Sequence, residues 1–392
     1  MSDNILLIGV DGGATEIKAH EVIAQQSGDE RSFKLGAASA SRVYERLADF
    51  TPVPVAQQFS ERDLDAIEIK PTEKKQADKW IDAAFEAIAE VVQGASSTGP
   101  VQIGVGMPGL KSPDKRGIVV INNGPRLPKY LEQLEAKLEA ANIKLAAPIA
   151  ALGSDADYCG IGEEYASEGL FRDVDNAYYM GAGTGVADAM KLKGKLVTFD
   201  EASGWIQKSW QVASSFGPTF EKLISAKSMN ETYHRLVGHL SDAGAKYPEV
   251  DAAAGQPIAI SWMESVAMLA AELIFERLQT ITTGRPNRTD RGEAYAALNA
   301  DHPFRGTKVD RVIIGQRLGQ ICSQPQEGLD VLSRVKEYLA AFISESKNND
   351  LIEAYAPKGQ LIPNLVKASK LRAAPAIGAA VAAASANQPI KN

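Results

Sequence analysis

The chain has little with which to build a disulfide-stapled or zinc-stapled fold: two cysteines, Cys159 and Cys322, and four histidines in 392 residues. Two cysteines so far apart make no disulfide framework and supply no Cys-rich zinc site, which fits a reducing compartment. His234 and His239 lie five apart, on different faces of a helix, so they are not a metal pair. His20 and His302 have no partner in sequence, and surface or packing roles are expected for them. A long basic run is absent as well, and the net charge is −7, so neither nucleic acid nor an anionic membrane surface is an expected partner. No basic leader precedes the first apolar run, residues 5–10, which stops at Asp11 and reads as a strand. The longest apolar stretch, residues 258–275, contains Glu264 and Glu272 and reads as a packed helix, not a membrane span. The cytoplasm is the expected location. Finally, there is no Gly-x-x-x-x-Gly-Lys-Ser/Thr, which excludes a Walker A loop.

What is present is an ordinary globular composition, 45% hydrophobic and 23% charged, at a length that suits two domains. Continuous apolar runs at 5–10 and 101–106 read as buried strands, as do shorter ones at 148–152, 176–180 and 309–314. Helical spacing marks 78–92, 130–141, 159–166, 229–240, 262–278 and 331–344, and the alanine-rich 373–386 reads as a small-residue helix that packs closely on a neighbour. Residues 45–77, polar and with several prolines, read as a loop-rich insertion. A strand, glycine turn, strand unit occurs near residue 11 and again near residue 183, which suggests a duplicated architecture with a cleft between lobes.

The two turns point to phosphate. In Asp11-Gly12-Gly13-Ala14-Thr15 the glycines let backbone N–H groups approach an anion, Thr15 adds a hydroxyl donor, and Lys18 adds a cation nearby. Asp11 alone would repel phosphate, so its expected role is to hold Mg²⁺ through water. Gly183-Thr184-Gly185 repeats the pattern. Either turn alone could be a ligand-free hairpin; two of them on similar units favour a nucleotide.

The order of motifs resembles the ROK family of the actin-like ATPase superfamily. Four segments carry it: Gly9-Val10-Asp11-Gly12-Gly13-Ala14-Thr15-Glu16-Ile17-Lys18; Gly104-Val105-Gly106-Met107-Pro108-Gly109; Ser154-Asp155-Ala156-Asp157 with Gly162-Glu163; and Gly181-Ala182-Gly183-Thr184-Gly185. Ala376-Ile377-Gly378-Ala379-Ala380 looks like the family's closing helix. The resemblance implies an α/β protein with the two-lobed actin-like ATPase fold, a duplicated ribonuclease H-like unit. It divides into a small lobe over 1–150, completed by the helix 373–386, and a large lobe over 151–372, largely helical after 205. It implies an ATP- and Mg²⁺-dependent kinase acting on a hydroxyl of a sugar or similar small molecule. The family often forms homodimers, and the apolar residues of the helical second half would allow one. The start at the first strand resembles the family's kinases, not its repressors, which carry a DNA-binding segment ahead of it.

Asp155 matches the family's catalytic base, and Ser154 stands where a substrate-binding Asn is usual. The alternative for Asp155 is an N-cap of the following helix, a place Asp157 suits better. Pro108 and Gly109 line the substrate floor or merely turn the chain. Glu201 accepts a substrate hydroxyl or is a solvated loop residue, and Glu163 orients neighbours or sits on the surface. Asn123 and Arg126 reach substrate or are loop polarity, the latter favoured for Arg126. Asp188 is a second metal-side carboxylate or, preferably, an outward strand residue. The family's Glu-x-Gly-His element lacks its His here, and its Cys-rich zinc motif is absent, so no structural zinc is expected. The departures leave a non-catalytic ligand-binding or regulatory protein as the alternative to a kinase.

Overall fold

The computed structural model describes residues 5–28, 30–95, 97, 99–238, 247–284, 291–325 and 329–387. His239 and Leu240, the end of the expected 229–240 helix, lie outside the described residues. The chain forms two compact units: residues 1–169 with 373–392, and residues 170–372.

In chain order the first unit contributes β1 (Leu6–Gly12), β2 (Glu16–Ser27), β3 (Glu30–Val43), α1 (Val55–Asp63), α2 (Pro71–Gly94), β4 (Val101–Met107), β5 (Leu110–Lys111), β6 (Ile118–Val120), α3 (Tyr130–Ala140), β7 (Leu152–Ser154) and α4 (Asp155–Tyr165). The second contributes β8 (Ala177–Ala182), β9 (Val186–Leu192), β10 (Lys195–Val197), α5 (Glu221–Ile224), α6 (Ala226–Gly238), α7 (Pro248–Ala253), α8 (Pro257–Thr283), α9 (Glu293–Ala296), β11 (Arg311–Gly315), α10 (Gln316–Ser323), α11 (Val331–Glu345), α12 (Asn349–Tyr355) and β12 (Val366–Ala368). The chain then returns to the first unit as α13 (Ala374–Asn387).

The first sheet runs in the order β3-β2-β1-β4-β7, antiparallel from β3 to β1 and parallel from β1 to β7. Its central strands are apolar on both faces because both are covered, by α2 against β2 and β3 and by α13 against β1 and β4. The helix α13 reaches the backbone of the sheet itself. A Cβ added at Gly9 would lie 1.8 Å from the Ala376 carbonyl oxygen, and one at Gly104 1.8 Å from that of Ala379. The alanine-rich sequence of α13 is what permits this approach.

The second sheet has the order β10-β9-β8-β11-β12, again antiparallel on one side of its first strand and parallel on the other. The duplication suggested by the two turns is thus a duplication of topology. The long helix α8 runs through the core of this unit, packed against α11 and α7. Among the described residues it is the one helix long and apolar enough to cross a membrane, yet two-thirds of its most apolar window is buried inside the protein.

Three expectations are corrected. Residues 45–77 contain α1 and the start of α2, with Pro54 at the cap of α1 and Pro71 in the first turn of α2, where a missing N–H costs nothing. The helix expected from residue 159 begins at Asp155. The unit boundary falls after Gly169 instead of at 150, because α4 packs extensively on α13 and belongs with the first sheet.

Candidate functional site

The C-terminal edge of the parallel strands in the first sheet gathers three of the sequence motifs. Asp11 of β1 is paired with Gly106 of β4, and Gly106 with Gly153 of β7; in the next row Met107 is paired with Ser154. Asp11, Pro108-Gly109 and Ser154-Asp155 therefore leave one sheet edge side by side. In open α/β sheets that edge is where ligands bind.

Ser154 caps α4: its Oγ accepts the Asp157 N–H at 3.4 Å. Neither aspartate is the cap, contrary to the alternative weighed for both. Asp155 is instead the first helical residue, half-buried, in the turn where the helix dipole favours a carboxylate. Asp11 is different. Burial, reinforced by the nearby Asp155 charge and partly offset by Lys18, holds its carboxyl up at about 7. Lys18 stands opposite Asp11 in the β1–β2 ladder, but its Nζ lies 2.7 Å from Glu16, so its charge is shared.

The first glycine turn is closed by the Gly13 N–H, which donates to the Glu16 carbonyl at 2.8 Å. That donor serves the turn itself. Thr15 is exposed at the tip, and Gly12 leaves the space that the Met107 Sδ fills. Beyond β4, Gly109 has φ +88°, a left-handed conformation that disfavours other residues. The Lys111 ammonium donates to the carbonyls of Met107 at 2.6 Å and Gly109 at 2.7 Å, so the Pro108-Gly109 turn is pinned. Asn123 is exposed on a loop held from both sides. On one side Ile121 exchanges two backbone bonds with the buried Gln58 side chain, at 2.8 and 2.9 Å. On the other, Arg126 is buried in ion pairs with Glu73, at 2.8 Å, and Glu61. Arg126 is thus neither loop polarity nor a substrate arm; it anchors the loop.

In the second unit Gly183, Thr184 and Gly185 join β8 to β9. The Gly183 N–H closes the turn on the Gly185 carbonyl at 2.9 Å, and Thr184 is exposed at its tip. The Val186 N–H donates to the Glu221 carboxylate at 3.0 Å. Beside the turn, Gln316 takes φ +54° at the junction of β11 and α10, a strained conformation for a residue with a side chain. Glu221 was not found from the sequence; nothing in its local pattern marks it. Glu201 is exposed, and its carboxylate accepts the Thr198 N–H while the Thr198 hydroxyl accepts the Glu201 N–H, each at 3.2 Å.

Asp188 is not an outward residue. It is buried, accepts the Tyr178 hydroxyl at 2.6 Å and the Ser209 N–H and hydroxyl at 2.7 Å, and faces Arg277 at 3.4 Å. Glu163, weighed as a surface residue, is also buried. His302 is a packing residue, stacked on Trp205 at 4.1 Å between ring centres. It accepts the Phe304 N–H at Nδ1 and meets the Thr280 carbonyl at Nε2, so the ring is neutral with its proton on Nε2, and burial lowers its pKa. Among the described residues no three His, Cys, Asp or Glu side chains come together as a metal site.

No protein-family model matches the sequence, and no curated protein is significantly similar to it. The fold itself has many solved counterparts. A ROK family glucokinase from Streptomyces griseus, solved with glucose and AMPPNP, is 16% identical with a TM-score of 0.56, over 97% of this chain and 99% of that one. A ROK hexokinase from Thermus thermophilus is 15% identical with a TM-score of 0.51, over 97% and 99%. A ROK family transcriptional regulator, a homolog of the E. coli MLC protein, is 14% identical with a TM-score of 0.51, over 97% of this chain and 78% of that one. With duplicated five-stranded sheets and near-complete coverage of the two kinases, the chain has the actin-like ATPase fold of the ROK sugar kinases.

Proposed function

We propose that the protein is an ATP-dependent kinase that phosphorylates a hydroxyl of a sugar or sugar-like small molecule, with Asp155 as catalytic base. The observation that carries this reading is the convergence of Asp11, Pro108-Gly109 and Ser154-Asp155 on one sheet edge, in a fold shared with a glucokinase solved with glucose and AMPPNP. Phosphoryl transfer asks a protein mainly for positioning and charge neutralisation. Asp155, at the start of α4, accepts the proton of the acceptor hydroxyl as that oxygen attacks the terminal phosphoryl group. Ser154, Gly109 and Asn123 serve the acceptor in this reading. The exposed tips Thr15 and Thr184, with the glycines beside them, serve the nucleotide phosphates, and Lys18 adds positive charge.

The donor set at Asp11 fits Mg²⁺. A hard oxygen ligand stands beside a second carboxylate, and the burial and repulsion that hold its proton up to about 7 are what a cation would relieve. Asp11 would hold the ion through water, and the bound ion would supply neutralisation of the triphosphate charge. Zinc has no role in this reading. A cytoplasmic protein is what it implies, and a homodimer is compatible with it.

The test is a screen of sugars, amino sugars and cyclitols with coupled detection of ADP. One or more should be phosphorylated, and Asp155→Asn should then lower kcat by roughly 10²–10⁴-fold with the acceptor KM little changed. A folded Asp155→Asn protein that turns over at the wild-type rate removes the assignment. A second reading, a ligand-binding protein without turnover, is favoured by the Glu221 carboxylate at the second glycine turn, where phosphate would meet negative charge. Calorimetry with Mg²⁺ and ATP separates the two in part, since no nucleotide binding at all would remove the kinase reading.

A further inference from the structure

The segment 209–221 of the second unit, irregular up to the first residue of α5, is fastened at both ends to β9 and in its middle to α8. At its start, the Ser209 N–H and hydroxyl both donate to Asp188 of β9 at 2.7 Å. At its end, Glu221 accepts the N–H of Val186, the first residue of β9, at 3.0 Å. Between these points the segment folds back on itself: Ala213 bridges Thr219, the Phe220 N–H donates to the Val212 carbonyl at 3.1 Å, and the Ser214 N–H and hydroxyl donate to the Pro218 carbonyl at 2.9 and 2.8 Å. The middle is held by two buried charges. Glu272 of α8 accepts the Ser215 hydroxyl at 2.7 Å and its N–H at 3.0 Å. Arg291 donates to the Ala213 carbonyl, pairs with Glu272 at 2.9 Å, and lies over the Phe220 ring at 5.6 Å. Arg291 therefore touches both the middle of the segment and the residue next to Glu221.

We infer that residues 209–221 are a strap that sets the conformation of the glycine turn 183–185, and that Glu272 and Arg291 are its positioning residues. Val186 and Asp188, the first and third residues of β9, follow the turn directly, so a strap tied to both fixes the direction in which the chain leaves it. The deeply buried pair supplies what a polar loop of this length lacks, an attachment that water does not compete for. An unpaired Glu272 would be costly in that place, which is why the test replaces both members: a buried ion pair exchanged for apolar residues of similar size often keeps stability.

The part of this inference that concerns nucleotide rests on the kinase reading; the strap does not. Hydrogen exchange at Val186 reports the strap directly, and nucleotide affinity reports its use. In the double variant Glu272→Met/Arg291→Met, and in the milder Ser215→Ala, exchange at the Val186 amide should rise at least tenfold while the β8–β11 ladder stays protected. The KM for ATP should rise about tenfold, with kcat and the acceptor KM within twofold, and Arg291→Lys should recover part of the effect. Unchanged protection at Val186 in a folded double variant overturns the strap. Lost protection with an unchanged KM for ATP, or a parallel change in both KM values and kcat, overturns the positioning role. A wild-type chain that binds no nucleotide overturns the kinase reading, and lost protection in the variants would then still uphold the strap.

Discussion

The two units repeat one topology and hold it together by different means. In both, a five-stranded sheet has three antiparallel strands and two added in parallel, and the first two strands are joined by a glycine turn with a threonine at its exposed tip. The first sheet is covered on one face by α13, which approaches its backbone through small residues, and its buried ion pair Arg126–Glu73 lies off the sheet, between a loop and the first turn of α2. In the second, charges are built under the sheet itself: Asp188, Arg277 and Glu276 are all buried, and Arg277 pairs with Glu276 at 2.6 Å. The turns differ in step with this. The first carries its own carboxylate, Asp11, whose proton is held by burial and by Asp155. The second carries none in sequence but receives one from Glu221, which lies 35 residues beyond Val186 in the chain. The same backbone plan thus accommodates a site whose charge is unbalanced in one copy and a frame whose charge is balanced in the other.

The comparison can be broken by removing what each sheet depends on. Arg277→Met leaves Asp188 and Glu276 buried without their cation and should cost about 3–5 kcal/mol in urea unfolding. Gly104→Ala, which puts a Cβ against the Ala379 backbone, should cost roughly 1–3 kcal/mol by displacing α13. If the glycine variant proved the more damaging, the contrast between a charge-held and a contact-held sheet would not stand.

A pH titration sharpens it. The folded Asp11 carboxyl titrates near 7, while an unfolded one titrates near 3.8. The folded protein therefore holds a proton that the unfolded chain has released, and this contribution, fully present below about 4, is lost as pH rises through about 7. The melting temperature should fall by a few degrees between pH 5 and pH 8, and the fall should flatten in Asp11→Asn. Mg²⁺ should restore stability at pH 8 in the wild type alone. The smallest effect is expected at the cap of α4. Ser154→Ala should destabilise by about 0.5–1 kcal/mol, at the low end for a cap because its bond to the Asp157 N–H is long at 3.4 Å.

Elements buried on both faces were legible because nothing but apolar residues can sit there, and β1, β4, β8 and α13 appear as continuous runs. The helix α1 was not legible, since its one fully buried residue is a glutamine, Gln58, that bonds to a distant backbone. The start of α4 was hidden for a related reason: Ser154-Asp155-Ala156-Asp157 is polar because it is a helix N-terminus at the candidate site. Of that site, Asp11, Gly109, Ser154 and Asp155 could be named from motif order; in the second unit, Glu221, Glu272 and Arg291 could not be named from the sequence.

The sequence by itself determined the buried strands β1, β4, β8 and β11, the two turns and the carboxylates beside the first of them, because these rest on short-range pattern and on residue types close together in the chain. Only the tertiary structure decided which polar residues are spent on one another. Asp188 looked outward and Arg126 looked like a loop residue until their partners were in view, and α4 joined the first unit only through its contact with α13. The physical reason is that a charge can be buried only beside its counterpart, and counterparts are brought together by the fold with no trace in the local sequence.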